Sequence, residues 1–593
     1  MNHQPFQVEL SGIIKILSDH LYTSNKVFIR ELIQNASDAI TARQKLEAFE
    51  PEIRIEYFKN DEGDGYVVSD NGIGLTEPQI SEFLARIGAS SKALTEKKAL
   101  RSDFIGQFGI GLLSCFMVTD EIVVLTRSAS DNQGFRWTGY INGTYQVEKL
   151  DEALPVGTKV VLKLRKDSGF NEDRIRTQLA GYARYLSLPI QLEINGGESE
   201  KINSDFPWEL PQGQELLMGI GQEIFDQPFS HAFLLKPTEE SPAEGAIFIL
   251  PSTDHLASQT KGRLYVKRMF VTEKCEEILP EWAFFVKVMV NSNDLGLNAS
   301  RESIYPDVKS KRLKNHIAQA IKNHLMSLAK NAPTTLRQII AAHSTALKRM
   351  ALADDEFLRF IYPYFVFYTS MGPLSLEEIK AKSGQVFFVP DIDEFRQVVP
   401  VAMSNGKLVV NAGYIHDAAV IRQIALVDNA TNYIEADAAY FGNFLGEVDL
   451  PTYDGYRMRL TQLQAHLDKF NCRLSLKQFE PENVPAIYHA NQDTQLARDI
   501  DEISSVANDD WAAVTEGIFG DVESEASTIY LNFNNRVVKK LMDQSSAYDK
   551  AVTETLLTNA MLMGHYPLNF LELETMNENL NLLAAMALNP PAK

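Results

Sequence analysis

Polar and apolar positions between Phe28 and Ile40, FIRELIQNASDAI, repeat with helical spacing. Glu31, Asn35 and Asp38 stand at i, i+4 and i+7 and so share one face, while Leu32, Ile33, Ala36 and Ile40 fall largely on the others and can pack inward. Further along the period changes to two. IRIEYF and GYVVSD alternate as strands, joined by the turn-rich KNDEGD, and EIVVLTRS and TKVVLKL read the same way. The pattern over residues 3–190 predicts helices on one face of a mixed sheet. Residues 191–225 are polar and punctuated by Gly and Pro, as at a domain junction. A second α/β region follows over about 226–480, with strand-like AIFILP, RLYVKRMFV, QVFFVP and KLVVNA, and helices dominate from about 490. In the last helix Leu573, Met576, Leu580, Leu583 and Ala587 recur at steps of three and four, a stripe suited to helix-to-helix packing.

Composition narrows the class. The 593 residues imply three or four units of ordinary domain size, and 45% hydrophobic residues are enough for several cores. A net charge of -21 argues against a nucleic-acid-coating protein. No apolar run has the length of a membrane span, and the start MNHQPFQVEL lacks the basic and apolar regions of a signal peptide. The three cysteines, Cys115, Cys275 and Cys472, are too scattered for a metal knuckle and point to a reducing cytoplasm. The expectation is a cytoplasmic protein without nucleic-acid or membrane partners.

Three stretches add chemistry to the opening helix. SDNGIGL places Asp70 at a strand end, before a turn that Gly72 and Gly74 let close tightly. A carboxylate held there is suited to accept a hydrogen bond from an exocyclic amine such as that of adenine. GQFGIGLLSCFMV carries Gly106, Gly109 and Gly111 into an apolar helix, and bare backbone N–H groups at a helix start cradle phosphate. PVGTKVVLKL sets Thr158 at the start of a strand, where its hydroxyl can support Asp70. Each stretch alone is a common turn, loop or strand.

In this order and spacing the set resembles the Bergerat-fold ATPases shared by gyrase, mismatch-repair, histidine-kinase and heat-shock chaperone proteins. Phe6–Ile40 and Ile105–Val124 are similar to the ATPase domain of the heat-shock protein 90 chaperones, and LYVKRMFVTEKCEEILPEWAFFVKVMVNSNDLGLNASRE, Leu264–Glu302, to that family's middle domain. The resemblance implies an α/β (α+β) multidomain chain. Its parts would be an ATP-binding sandwich over 1–200, an α/β middle domain over 226–485 and a mainly helical C-terminal dimerisation domain over 490–593.

It also implies an ATP-dependent chaperone of the bacterial type, active in the stress response as a homodimer, with unfolded or partly folded clients and co-chaperones as partners and ATP and Mg²⁺ as cofactors. By the same resemblance Asp70 and Thr158 hold adenine, and Asp38, Gly74 and Leu75 line the nucleotide pocket. Asn35 coordinates Mg²⁺ through its side-chain oxygen. The loop Gly106, Gln107, Phe108, Gly109, Ile110 and Gly111 closes over the phosphates. Glu31 orients and deprotonates the attacking water, with Arg30 beside it as a charge partner. Arg301 stabilises charge on the transferred phosphoryl group. With Glu31 and Arg301 on different domains, hydrolysis requires closure. Ser81–Phe104, charged and poorly anchored, has the place of a mobile lid. Trp511 and Phe519 either pack in a core or present apolar surface to clients.

The chain departs from the family pattern at several points. Leu75 replaces a methionine, Ser81 and Glu82 stand near the place of a lid-side asparagine, and Tyr305 occupies the position of a glutamine four residues beyond Arg301. The eukaryotic charged linker and acidic tail are missing. Little chain precedes Glu31 to carry a histidine kinase's phospho-acceptor helix, and the acidic charge speaks against a DNA-facing repair or topoisomerase subunit. The remaining alternative is a diverged scaffold with little or no ATPase activity.

Overall fold

The computed structural model describes residues 26–61, 63–84, 111–210, 214–252, 261–298, 300–404, 406–436, 445–490 and 526–588, with single positions at 12, 440 and 494. The chain divides after Pro333 into two compact units. Gly106 to Ile110, most of Ser81–Phe104, Trp511 and Phe519 lie outside the described residues.

In the first unit the opening pattern becomes helix α1 (Val27–Gln44), whose apolar side chains Phe28, Leu32, Ile33, Ala36 and Ile40 are buried. They pack with one face of an eight-stranded sheet. Its strands are β1 (Ile53–Phe58), β2 (Gly65–Asp70), β3 (Glu121–Arg127), β4 (Gly134–Tyr140), β5 (Tyr145–Leu150), β6 (Gly157–Lys163), β7 (Ile190–Ile194) and β8 (Glu200–Lys201). They run in the order β5-β4-β3-β6-β2-β1-β7-β8, antiparallel throughout except for the parallel pair β1–β7. The alternation in IRIEYF is realised: Ile53, Ile55 and Tyr57 are buried and Arg54 and Phe58 exposed. Helix α2 (Glu77–Phe83) follows the turn after β2, and α3 (Glu172–Ala183) lies beside α1. The glycine-rich stretch leads into a 3₁₀ helix, Gly111–Met117, rather than an α-helix.

A five-stranded sheet completes this unit: β9 (His231–Leu235), β10 (Glu244–Ile249), β11 (Lys261–Val266), β12 (Met269–Lys274) and β13 (Val286–Ser292), in the order β12-β11-β13-β10-β9. RLYVKRMFV, which reads as one strand, is a hairpin. Lys267 and Arg268 both take positive φ (50° and 68°), the geometry of a tight two-residue turn between paired Val266 and Met269. Side-chain partners stabilise this turn where no glycine does. Arg268 donates to Glu209 and to the Tyr185 carbonyl, and its N–H is taken by Asn291. The polar stretch over 191–225 contributes Phe206, stacked between Tyr185 (4.5 Å) and Trp208 (4.2 Å). Met269, at the end of the turn, is buried in the same apolar cluster as α1.

The second unit holds two sheets. β14 (Val366–Thr369), β15 (Gly372–Ser375), β16 (Gln385–Val389), β17 (Val409–Asn411) and β18 (Asn432–Glu435) form a five-stranded sheet ordered β15-β14-β17-β16-β18. β19 (Gly446–Glu447), β20 (Cys472–Gln478), β21 (Ala486–His489) and β22 (Ser527–Asn532) form a four-stranded one, with β22 between β20 and β21. Helices Arg536–Asp543, Asp549–Met563 and Phe570–Leu588 follow. In the last of them the sequence stripe divides. Met576 and Leu583 are half-buried, whereas Leu573 and Leu580 are exposed at 43% and 60%. The face turned to its own unit is polar: Glu572, Thr575 and Asn579 are buried, and Asn579 donates to Glu554 at 2.9 Å. No described helix is long and apolar enough to cross a membrane.

Candidate functional site

Strand register builds the first half of the site. Thr126 on β3 pairs with Thr158 on β6, which pairs with Asp70 on β2, so three neighbouring strands set these residues in one row. The Asp70 carboxylate accepts from the Gly72 N–H at 2.8 Å. Burial pushes its pKa up to about 7, opposed by the backbone N–H groups of Gly72 and Thr158, which favour the anion. Thr158 thus supports Asp70 through its backbone, while its hydroxyl pairs with that of Thr126 at 3.2 Å. Thr126, fully buried, also donates to the Gly157 carbonyl and accepts from the Leu75 N–H.

The turn after Asp70 is clamped from two sides. On the α1 side, Ile73 N–H donates to the Ala39 carbonyl, and Arg43 reaches the Asn71 carbonyl at 2.7 Å. On the β3 side, Ala129 N–H donates to the Ile73 carbonyl. Gly74 fits because it has no side chain: its φ is +64°, and a Cβ there would stand 2.0 Å from the Arg127 carbonyl oxygen. Leu75 packs, half-buried, against the core of the sheet.

The second half of the site lies on α1. Glu31, Asn35 and Asp38 share a side of the helix in graded exposure: Glu31 is buried, Asp38 half-buried and Asn35 exposed. Glu31 is covered because Arg301 lies on it. Arg301 Nη1 donates to Glu31 Oε2 at 2.6 Å and also to Gln34 Oε1, and the two ionic residues are only 5% and 2% exposed. Arg30 is buried as well. Its Nη2 stands 3.5 Å from Glu31 Oε1 and donates to the Ser300 carbonyl at 2.7 Å, while Nη1 reaches the Arg301 carbonyl at 3.3 Å. Arg301 itself takes positive φ (57°), a conformation costly for a residue with a side chain and held here by Arg30's grip on consecutive carbonyls. Gly111 approaches Glu31 so closely that a Cβ there would lie 2.4 Å from Oε2, which brings the end of the glycine-rich stretch to the carboxylate.

The structure therefore gathers two groups of expected residues. Asp70, Gly74, Leu75 and Thr158 sit at the strand ends, and Arg30, Glu31, Gly111 and Arg301 meet around α1; Asn35 and Asp38 lie one and two turns beyond Glu31 on the same helix. Gly106, Gln107, Phe108, Gly109 and Ile110 fall outside the described residues. Sequence reasoning missed Thr126 and Gln34. Thr126 follows from strand register, which spacing does not announce. Gln34 sits one position before Asn35, but its partner Arg301 is 267 residues away.

Two family models and several known proteins are similar to this chain. Residues 22–160 match the family described as histidine kinase-, DNA gyrase B-, and HSP90-like ATPase, and residues 250–388 match the family described as Hsp90 protein. The chaperone protein HtpG of Rhodospirillum rubrum is 30% identical over 419 residues, covering 64% of this chain and 66% of the relative. Those of Myxococcus xanthus (28% over 387 residues, 59% of each chain) and Anaplasma phagocytophilum (30% over 352 residues, 55% of each) are similar. The match spans less than two thirds of these relatives' own length.

Proposed function

Since this chain belongs to the heat-shock protein 90 family, we propose that it binds and hydrolyses ATP to drive a conformational cycle that assists the folding of client proteins. The observation that carries the proposal is the contact between Glu31 and Arg301, a carboxylate and a guanidinium brought together on α1 from positions 270 residues apart. A base able to take water's proton beside a cation able to take phosphoryl charge is the pairing that phosphoryl transfer to water calls for. Asp70 receives the adenine amine, with Thr158, Gly74 and Leu75 shaping the pocket and Asp38 facing it from α1. Gly106 to Gly111 cover the phosphates.

The donor set fits Mg²⁺. Asn35 offers a hard amide oxygen on the exposed side of α1, and Asp38 stands one turn on. Asn35 would hold the ion, which would supply positive charge to offset that of the phosphates. The proposed parts are an ATP-binding region over 1–200, a middle region over 226–485 and a dimerisation region over 490–593, in a cytoplasmic, stress-linked homodimer acting on unfolded clients with co-chaperones. Three buried free thiols, Cys115, Cys275 and Cys472, support a reducing compartment.

Glu31→Ala tests the chemistry apart from binding. Calorimetric titration is expected to give unchanged ATP affinity, while steady-state turnover falls about 10²–10⁴-fold, the range for losing a general base. Turnover at the wild-type rate would remove Glu31 from the mechanism, and no turnover in the wild-type protein itself would favour the diverged scaffold.

A further inference from the structure

Arg301 Nη1 is shared by two acceptors of different charge. Glu31 Oε2 is one; the other is the side-chain oxygen of Gln34, which is 2% exposed. The orientation of the Gln34 amide is set by chemistry, because a guanidinium has only donors and must face the oxygen. The amide nitrogen then points the other way, to Met269 Sδ at 3.0 Å, a weak acceptor. Gln34 is thus held between the arginine and the turn of the β11–β12 hairpin. The backbone of Arg301 is pinned by Arg30, so what remains adjustable is the guanidinium.

The two acceptors make different demands on the reaction. Arg301 engages Glu31 Oε2, and Arg30 stands 3.5 Å from Oε1, so the contact between Arg301 and Glu31 has to give way for Oε2 to take water's proton. The Gln34 contact need not. A guanidinium has five N–H donors, and one left on a neutral amide spares four for phosphate oxygens and leaves the positive charge uncompensated. We propose that Gln34 is the positioning residue that keeps the Arg301 guanidinium over the phosphoryl group while Glu31 is released; this rests on the roles assigned above to Glu31 and Arg301. Without the Gln34 oxygen, the buried cation keeps Glu31 as its acceptor and the base stays occupied.

Steady-state ATPase kinetics on the full chain test this, with thermal melts to confirm folding. Gln34→Met keeps side-chain length and the packing against Met269 but removes the oxygen. It is expected to lower kcat about 10- to 100-fold, the scale of a misplaced catalytic group, with little change in KM for ATP. Gln34→Asn, which keeps a neutral amide, is expected to retain more turnover than Gln34→Met, and it carries the test if the methionine variant does not fold. In an Arg301→Ala background neither change is expected to lower kcat further, because residues acting as a unit are not additive. Wild-type kcat in both Gln34 variants, or an equal loss with and without Arg301, overturns the proposal. Glu31→Ala and Arg301→Ala, measured alongside, separate the two levels. If both keep full turnover, the reading of the site is wrong and the role of Gln34 falls with it; if both are slow and Gln34→Met is not, only the role of Gln34 fails.

Discussion

Asp70 shows how far a fold can work against the charge it needs. Burial raises its pKa to about 7, so near neutral pH the carboxyl is poised between its two forms. An exocyclic amine is better held by the anion, hence ATP affinity is expected to rise between pH 6 and pH 8, with proton release on binding near pH 7. Titration in two buffers of different ionisation enthalpy measures that release. Asp70→Asn removes the proton release and weakens binding by about 1–3 kcal/mol, the cost of a buried donor losing its acceptor. The sign for stability runs the other way. A folded-state pKa above the unfolded one gives a contribution that is complete below the ordinary carboxylate range and lost as pH rises through about 7. Asp70→Asn is therefore expected to raise Tm at pH 8 and to leave it nearly unchanged at pH 4, which thermal melts at the two pH values check. An equal change at both would mean that ionisation of Asp70 has no part in it.

Among the elements, the turn between β2 and α2 is the most constrained, because α1 and β3 hold it from opposite sides. Gly74→Ala is expected to destabilise the protein by more than about 1 kcal/mol, since positive φ and a backbone carbonyl both exclude a Cβ and the carbonyl belongs to an inner strand. Chemical denaturation measures the loss, and a midpoint unchanged from wild type would show that the turn can shift. The β11–β12 hairpin carries the opposite lesson. RLYVKRMFV has neither Gly nor Asn to mark a turn, and the positive φ angles of Lys267 and Arg268 are upheld by Glu209, Asn291 and the Tyr185 carbonyl. Its reversal is written in contacts from far along the chain, which local propensity does not contain.

At the scale of the whole molecule, the last helix decides how dimerisation should be tested. Leu573 and Leu580 are exposed, with Phe570 and Leu588 on the same outward side of the helix, while Glu572, Thr575 and Asn579 are buried on the side turned to its own unit. An apolar side left outward on a terminal helix is what a second copy would cover. Cutting the chain near 490 is a poor test, because β22 lies beyond that point and is an inner strand of the four-stranded sheet. Leu573→Asp with Leu580→Asp leaves the unit's own packing alone and is expected to turn a dimer into a monomer in light scattering. Turnover is expected to fall with it, because the proposed C-terminal interface would hold two ATP-binding regions at a high effective concentration. A variant that stays dimeric would place the interface elsewhere.

Much was determined by the sequence itself. Helical spacing identified α1 and its buried side, alternation identified β1, β2, β3 and β6, and the glycines around Asp70 marked the turn, because these depend on neighbours within a few residues. Glu31, Asp70 and Arg301 were legible as candidates through residue type and resemblance. Tertiary structure alone decided what each of them touches. Register across three strands put Thr126 beside Thr158 and Asp70, burial raised the Asp70 pKa, and the fold set Arg301 between Glu31 and Gln34. It also divided the stripe on the last helix into half-buried Met576 and Leu583 and exposed Leu573 and Leu580. Periodicity gives the direction of a side chain about its own element, but its partners and its distance from water depend on elements hundreds of residues away, packed against it only once the chain has folded.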